Sequence, residues 1–147
     1  MIMIKKLLLI LILAFSTYGI YQYSAPISTA FNQPDSDTDR LLQLAFETRQ
    51  QDLQVNGSGE VIKLLNDDLK GSRHQRFLLR LASGQTLLVA HNIDLAPKIS
   101  LLRAGDNVEF FGEYEWTAKG GVIHWTHHDP KRQHQGGWLK HQGKSYQ

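Results

Sequence analysis

The sequence predicts a mainly β protein, namely a small five-stranded barrel preceded by one amphipathic α-helix and an N-terminal signal or anchor helix. Three observations support this class. An unbroken apolar run follows two lysines near the N-terminus, and a later stretch repeats apolar residues at helical spacing. The third observation is a series of short segments in which apolar and polar residues alternate between glycine-containing turns.

Length and composition limit the chain to one domain with a short appendage. Of its 147 residues, 41% are hydrophobic and 20% are charged, a balance typical of globular proteins. The formal net charge of +2 is too small to indicate a nucleic-acid-binding protein by itself. The absence of cysteine excludes disulfides, thiolate catalysis and Cys-ligated zinc. The seven histidines are the one unusual feature of the composition.

The N-terminal segment, residues 1–30, is predicted to be a signal peptide or a signal anchor. Lys5 and Lys6 precede nine apolar residues, which is typical of a secretory signal. Ser28-Thr29-Ala30 offers a cleavage site. If it is not cut, residues 7–23 reach the lower limit of about 17 residues for a helix that spans the cytoplasmic membrane. Both alternatives place the domain on the periplasmic side of the inner membrane, either anchored there or released as a periplasmic or secreted protein.

Residues 31–56 are predicted to be a linker and one amphipathic helix, which extends from about Asp37 to Gln54. Leu42, Phe46 and Leu53 recur there at helical spacing. We expect this helix to pack on the domain rather than to bind a partner.

Residues 57–127 are predicted to form the barrel, after a break at residues 56–59. The strands are expected at Glu60–Leu65, Arg73–Ala82, Gln85–His91, Asn107–Trp116 and Gly121–His127. A longer connection separates the third and fourth strands, which matches an oligonucleotide/oligosaccharide-binding (OB) barrel, and a small open sandwich is the alternative. Residues 128–147 are predicted to be an irregular extension of the same domain, rich in His, Gly and Lys.

Alternation in the second and fourth strands predicts the barrel core. Phe77, Phe110 and Trp116 fall on the apolar faces and are expected to be buried. The opposite faces carry charged side chains, namely Arg76, Arg80, Glu109, Glu113 and Glu115. These glutamates would repel an anionic ligand, unless they pair with Arg76 and Arg80 across strands.

Several linked strings in the chain are familiar: GSRHQRFLLRL, TLLVAHNIDLAP, GDNVEFFGEYEW, GGVIHWTHHDP and GWLKHQGKSYQ. They resemble an uncharacterised bacterial family, the DUF3465 domain of unknown function, over Gly57–Gln147. The resemblance implies a small domain commonly found behind an export signal, and it implies no activity.

The densest group of potential metal ligands follows the fifth strand. The metal candidates are His124, His127 and His128, with Asp129 and His134 nearby, and zinc is the typical divalent ion for such ligands. In an extended strand His124 and His128 share a face but lie about 13 Å apart, so one ion requires a bend or a ligand from elsewhere. The alternative is that these histidines hydrogen-bond to the backbone or line a polar groove.

His91, at the end of the third strand, is the candidate general base, with Asp94 or Asp129 orienting it. The alternative is that Asn92 and Asp94 cap a short helix that follows. The sequence contains no serine in a nucleophile-elbow context and no phosphate-binding glycine loop.

The leading functional hypothesis is an exported, membrane-tethered, monomeric binding module for a polar or anionic ligand, with nucleic acid and saccharide both open. Its predicted ligand-binding residues are His74, Arg76, His91, His124, His128, Asp129 and Trp138. One alternative is a small His/Asp-dependent hydrolase, assisted by a divalent metal such as zinc, with His91, Asp94 and Asp129 as catalytic residues. The hydrolase requires His91, Asp129 and His124 or His128 to converge within about 3–4 Å of a common point. A third hypothesis is a structural partner protein of the cell envelope.

Overall fold

The structure, a computed structural model, describes residues 36–147. The predicted signal or anchor segment lies outside these described residues. One helix, α1 (Ser36–Glu47), precedes the strands β1 (Leu53–Leu64), β2 (His74–Arg80), β3 (Thr86–Asn92), β4 (Asn107–Glu115), β5 (Val122–His124), β6 (Trp138–His141) and β7 (Lys144–Tyr146). Within residues 36–147, no helix is both long enough and apolar enough to cross a membrane.

The first five strands close into a barrel. The strands pair in the order β1-β2-β3-β5-β4, and β4 pairs again with β1. The β3–β5 pair is parallel, and the other barrel pairs are antiparallel. This closed order, with its parallel closing pair, is that of the OB barrel, so the predicted fold class is confirmed.

Strand β1 is longer than predicted, and the expected break at residues 56–59 is wrong. That segment lies inside β1, where Gly57 pairs with Phe110 of β4. A Cβ atom on Gly57 would lie 2.8 Å from the ring of Phe110. Glycine is therefore required here because the barrel interior is filled by an aromatic ring, and not because the chain turns. Beyond Glu60, β1 moves from β4 to β2, with a register shift between Val61 and Lys63.

Helix α1 ends seven residues earlier than predicted, at Glu47 instead of Gln54. Arg49 and Asp52 both adopt left-handed backbone angles, with φ of 57° and 53°, which end the helical path. Leu53 then pairs with Tyr114 in the barrel. Residues at the end of the predicted helix therefore form part of β1 instead, because they pair with β4.

The helix packs on the barrel, as expected. Leu42 and Ala45 are fully buried in the common core. Phe46 stacks on Trp116 with ring centroids 6.4 Å apart. Trp116 thus packs against the helix and is only partly buried. The prediction that Trp116 is buried inside the barrel is wrong.

The predicted core faces of β2 and β4 are confirmed at Phe77 and Phe110, which are both fully buried. Gln75 also points inward. Its side-chain amide donates to the carbonyl of Ile99 and accepts from the N–H of Ile99, both at 2.9 Å. This reciprocal pair satisfies the buried amide and fastens the long β3–β4 connection to the barrel.

The C-terminal residues are more regular than predicted. Strands β6 and β7 form a hairpin, and β6 pairs with the N-terminal half of β4, where Phe111 lies opposite Trp138. The sheet thus extends beyond the barrel instead of ending in an irregular tail. Strand β5 is shorter than predicted, because Trp125 adopts a left-handed φ of 51° directly after His124.

Candidate functional site

A groove crosses the outer face of β2, β3 and β5. It consists of two pockets, of about 400 and 230 Å³, that share His74, Ala90 and His124. The larger pocket is completed by Asp68, Arg76, Leu88, Glu115 and Val122, and the smaller by Ser72, Asn92, Leu95, Trp125 and His127. OB barrels bind oligonucleotides and oligosaccharides on this same face, formed by strands two and three and the adjoining loops.

The position of the groove follows from strand alternation. In β2 the side chains of Gln75 and Phe77 are buried, so His74 and Arg76 point outward. The registers of β2 with β3 and of β3 with β5 then bring outward side chains of all three strands onto one surface. The sequence pattern that fills the core therefore also builds the groove.

Arg76 supplies a fixed positive charge at one end of the groove. Its Nε and Nη2 atoms donate to the carbonyl oxygen of Asn66, at 3.1 and 2.9 Å. The alternative in which Arg76 and Arg80 pair with the β4 glutamates is not found within residues 36–147, where Arg80 instead pairs with Glu60 at 3.0 Å.

Histidines, not arginines, contact the β4 glutamates. His124 Nε2 lies 3.2 Å from Glu113 Oε1 and 3.9 Å from Glu115 Oε1. His134 Nε2 lies 2.6 Å from Glu113 Oε2. One ligand atom from each of Glu113, Glu115 and His124 lies within 4.8 Å of the others, so these three residues form a candidate metal-binding group.

Burial opposes protonation of His134, but the hydrogen bonds with Glu113 and with the Gln135 carbonyl, together with the charges of Glu113 and Asp129, outweigh it and raise the pKa of the His134 ring. The ring also stacks on Trp125, with centroids 3.9 Å apart and planes 9° from parallel. On another side, Trp125 packs against His127 at 5.3 Å. An aromatic cluster therefore connects the Glu113 contact to the wall of the groove.

Asp129 shapes the loop that returns His134 to the sheet. Its carboxylate accepts hydrogen bonds from the backbone N–H groups of Lys131, Gln133 and His134, at 3.0, 2.7 and 2.9 Å. These bonds lower the pKa of Asp129. Asp129 was predicted to bind ligand. Its oxygens instead accept hydrogen bonds from the backbone of the same loop, and Asp129 does not line the groove.

A family model described as "Protein of unknown function (DUF3465)" matches residues 12–147. The chain belongs to this family. The resemblance noted in the sequence is therefore confirmed for the DUF3465 domain, and it extends further toward the N-terminus than the strings that suggested it. No curated protein matches the chain. Because the family description gives no activity, function must be inferred from the site itself.

The predicted catalytic and ligand-binding residue His91 lies in the interior of the DUF3465 barrel and is fully buried. Its Nε2 donates to the carbonyl of Pro97 at 3.2 Å, so its Nδ1 accepts from the hydroxyl of Thr126 at 2.8 Å. Burial lowers the pKa of His91 to about 4. His91 is therefore a neutral core residue, and it does not line the groove.

In the described part of the DUF3465 chain, neither predicted carboxylate forms a hydrogen bond with His91. Asp94 accepts from the backbone N–H and the Nε of Arg73, at 2.7 and 2.6 Å. These bonds lower the pKa of Asp94. Within residues 36–147, neither Asp94 nor Asp129 hydrogen-bonds to His91, so the predicted acid–base pair is absent there.

The other predicted residues separate into two groups. His74, Arg76 and His124 line the groove, and His127 joins them although only 5% of it is exposed. His128 is exposed and Trp138 packs on Phe111, both outside the groove. Of the three predicted metal ligands, only His124 belongs to the metal-binding group found within residues 36–147.

The sequence patterns alone did not single out Glu113, Glu115 or Trp125 as site residues. A signal for the glutamates was present, since alternation placed both on the outer face of β4. The OB order makes β4 the neighbour of β5, and their register sets Glu113 opposite His124. No comparable signal existed for Trp125, because its position depends on the left-handed turn after β5.

Proposed function

We propose that this DUF3465 protein is an exported, membrane-tethered binding module whose groove takes a polar or anionic ligand. The observation that supports this most directly is the groove on the outer face of β2, β3 and β5. A concave site that combines apolar area with a few convergent polar groups is typical of ligand binding.

The lining of the groove favours a chain-like ligand that bears anionic groups. Leu88, Ala90 and Val122 supply an apolar floor between polar walls. At one end, the anchored guanidinium of Arg76 and the ring of His74 offer donors to phosphate, sulfate or carboxylate oxygens. A single-stranded nucleic acid or an acidic saccharide carries such groups at regular intervals beside apolar faces.

Sequence features outside the described residues support the location. Lys5 and Lys6 followed by an apolar run favour export, and residues 7–23 would hold the domain on the periplasmic side of the inner membrane. The groove would then face the periplasm, where it can meet an envelope polymer or an imported strand.

Ligand binding is tested with three labelled probes of similar length: single-stranded oligo-dT, a sulfated oligosaccharide and a neutral dextran. Fluorescence anisotropy at low salt measures their affinity for the purified full-length protein. We expect at least one anionic probe to bind more tightly than dextran. Arg76→Gln and His74→Ala should each weaken that binding at least tenfold. Arg80→Gln is the matched control, since Arg80 points outward from the same strand but pairs with Glu60.

The proposal fails if none of the probes binds, or if Arg80→Gln weakens binding as much as Arg76→Gln does. Equal loss in both variants would indicate attraction to a general positive field rather than to the groove. Tight binding of dextran that is unaffected by either arginine variant would also contradict an anion-binding role.

Export is tested by fusing a reporter that is active only in the periplasm after Gln147. We expect an active reporter for the full-length chain and an inactive one when Lys5–Tyr23 is deleted. Activity retained after the deletion would contradict export, and membrane fractionation of the full-length fusion separates the anchored form from the cleaved form.

A further inference from the structure

We infer that Glu113, Glu115 and His124 bind a divalent cation of the zinc class at the border of the groove. The site combines one imidazole with two carboxylates from adjacent strands, β4 and β5. These donors suit zinc and related divalent transition metals.

The separations of the ligand atoms support one shared ion. Two ligands of a tetrahedral zinc lie roughly 3.4 Å apart, because each bond measures about 2.0–2.1 Å. His124 Nε2 and Glu113 Oε1 are already 3.2 Å apart. Glu115 Oε1 lies 3.9 Å from the same nitrogen, so a small side-chain rotation completes three-point coordination.

The nitrogen of His124 is the feature that hydrogen bonding within residues 36–147 does not explain. Nε2 is buried from solvent and makes no hydrogen bond, although two carboxylates face it. A buried polar atom without a partner costs stability, so its retention indicates a role for the lone pair. Nε2 lies within hydrogen-bonding distance of Glu113 Oε1 but forms no hydrogen bond with it, so the nitrogen is not aimed at that oxygen and stays available to a cation.

The charge of the cluster also favours a cation. Glu113 is only 9% exposed and shares its surroundings with Glu115. Within residues 36–147, neither glutamate forms an ion pair with lysine or arginine, and the cationic side chains that both contact are histidines. A dication between them would offset the mutual repulsion of two carboxylates at this border.

Residues around the cluster hold the ligands in place. His134 Nε2 contacts one carboxylate oxygen of Glu113, Oε2, and the other oxygen, Oε1, lies beside His124. The backbone N–H of Asp52 donates to Glu115 Oε1 at 3.3 Å. Outer hydrogen bonds of this kind orient ligating carboxylates in metal sites, which makes His134 a positioning residue.

The metal would also change what the groove can bind, and this step rests on the proposed function. Glu115 and His124 line the larger pocket, so the coordination position left open by three protein ligands would face the groove. Without a cation, Glu115 repels an anionic ligand; with one, the same border can coordinate a phosphate or carboxylate oxygen.

The metal site is tested with zinc alone, without any groove ligand. Full-length protein is treated with a chelator and titrated with Zn²⁺ by isothermal calorimetry and by tryptophan fluorescence, since Trp125 adjoins the site. We expect one equivalent of Zn²⁺ to bind. Glu113→Gln, Glu115→Gln and His124→Ala should each weaken this binding at least tenfold. Glu109→Gln is the matched control, because Glu109 points outward from β4 but pairs with Lys140.

Circular dichroism of each metal-free variant checks folding. If Glu113→Gln fails to fold, the more exposed Glu115 and His124 decide the outcome. Absence of stoichiometric Zn²⁺ binding overturns the inference. So does binding that survives Glu115→Gln and His124→Ala but is lost in His127→Ala or His128→Ala, since that would place the ion at His127 or His128 instead of at the cluster. The probe-binding assay, run on both chelated and zinc-loaded protein, tests the groove separately. Probe binding without Zn²⁺ binding overturns only the metal site, and Zn²⁺ binding with no probe bound in either form overturns only the groove.

Discussion

His91 and His124 lie on neighbouring paired strands of one barrel, and their surroundings are opposite. The His91 side chain points into the core, where a hydroxyl and a carbonyl satisfy both ring nitrogens. The His124 side chain points outward, and its Nε2 faces two carboxylates without forming a hydrogen bond. The barrel wall therefore separates His91, whose protonation in the core would be costly, from His124, whose carboxylate neighbours favour a cation next to the ring.

The difference teaches that the partners of a histidine determine its chemistry. Neutral partners and full burial lower the pKa of His91, so that it serves packing. Carboxylate partners at a solvent boundary suit the His124 ring to bind a metal ion. The predictions below compare the two sides of the wall, beginning with the largest expected effect.

Phe77→Ala is expected to have the largest effect on stability, and Leu78→Ala is its counterpart on the outer face. Phe77 is fully buried, so its truncation should lower the free energy of unfolding by about 3–5 kcal/mol. Leu78→Ala, one residue further along β2 and on the outer face, should cost about 1 kcal/mol or less. Urea unfolding measures both changes, and similar losses would show that the wall does not separate core from surface.

Acidification should destabilise the domain through His91. Its pKa is about 4 in the folded barrel, well below its ordinary value, so between these values the unfolded chain binds the proton and the folded chain does not. Stability due to the neutral ring is therefore complete above about pH 6.5 and is lost as the pH falls toward 4. The loss should reach roughly 3 kcal/mol.

Urea unfolding between pH 7.5 and pH 4.5 measures this effect. The raised pKa of His134 acts in the opposite direction, since protonation there favours the folded state. The nearby rings of His74 and His127 also oppose a charge on His91. Equal stability at both pH values, in the wild-type domain and in His134→Gln alike, would show that His91 is not held neutral in the core.

Thr126→Val removes one hydrogen bond from the interior and keeps the shape of the side chain. His91 Nδ1 then loses its donor, and the unsatisfied nitrogen should cost about 1–3 kcal/mol. Thermal unfolding at pH 7.5 checks this value, with Thr86→Val on the outer face of β3 as a control. No measurable change would mean that water or another donor reaches His91.

His124→Ala should have the smallest effect on the metal-free domain, within about 0.5 kcal/mol, because the ring packs on the outer face. The same variant is expected to abolish zinc binding, as described above. A loss of more than 2 kcal/mol would place His124 among the structural histidines with His91 and would remove the contrast.

Alternation predicted the barrel well, because a strand with one buried face must place its apolar side chains two residues apart. The same alternation could have predicted that His91 is buried, because His91 shares the inward face of β3 with Leu87 and Val89. The errors at residues 56–59 and at the end of α1 arose because cross-strand contacts with Phe110 and Tyr114 override local preference.

The site was less accessible to sequence reasoning than the fold. His74, Arg76 and His124 were predicted because each lies at an outward position of a regular strand. The contact of His134 with Glu113 depends on a loop organised by Asp129, and no periodic pattern encodes that loop. The sequence therefore did not predict contacts that depend on an irregular loop, such as the contact of His134 with Glu113.

The long-range pairing of β1 has a consequence for when the barrel can form. Most of β1 pairs with β4, and closure further requires β5 to dock in parallel on β3. Contacts so distant along the chain slow folding, because a large loop must close before they form. An emerging polypeptide therefore cannot complete its barrel until nearly all of it has been synthesised. For a chain that is proposed to cross a membrane, this delay keeps the polypeptide extended enough to be threaded through a translocation channel.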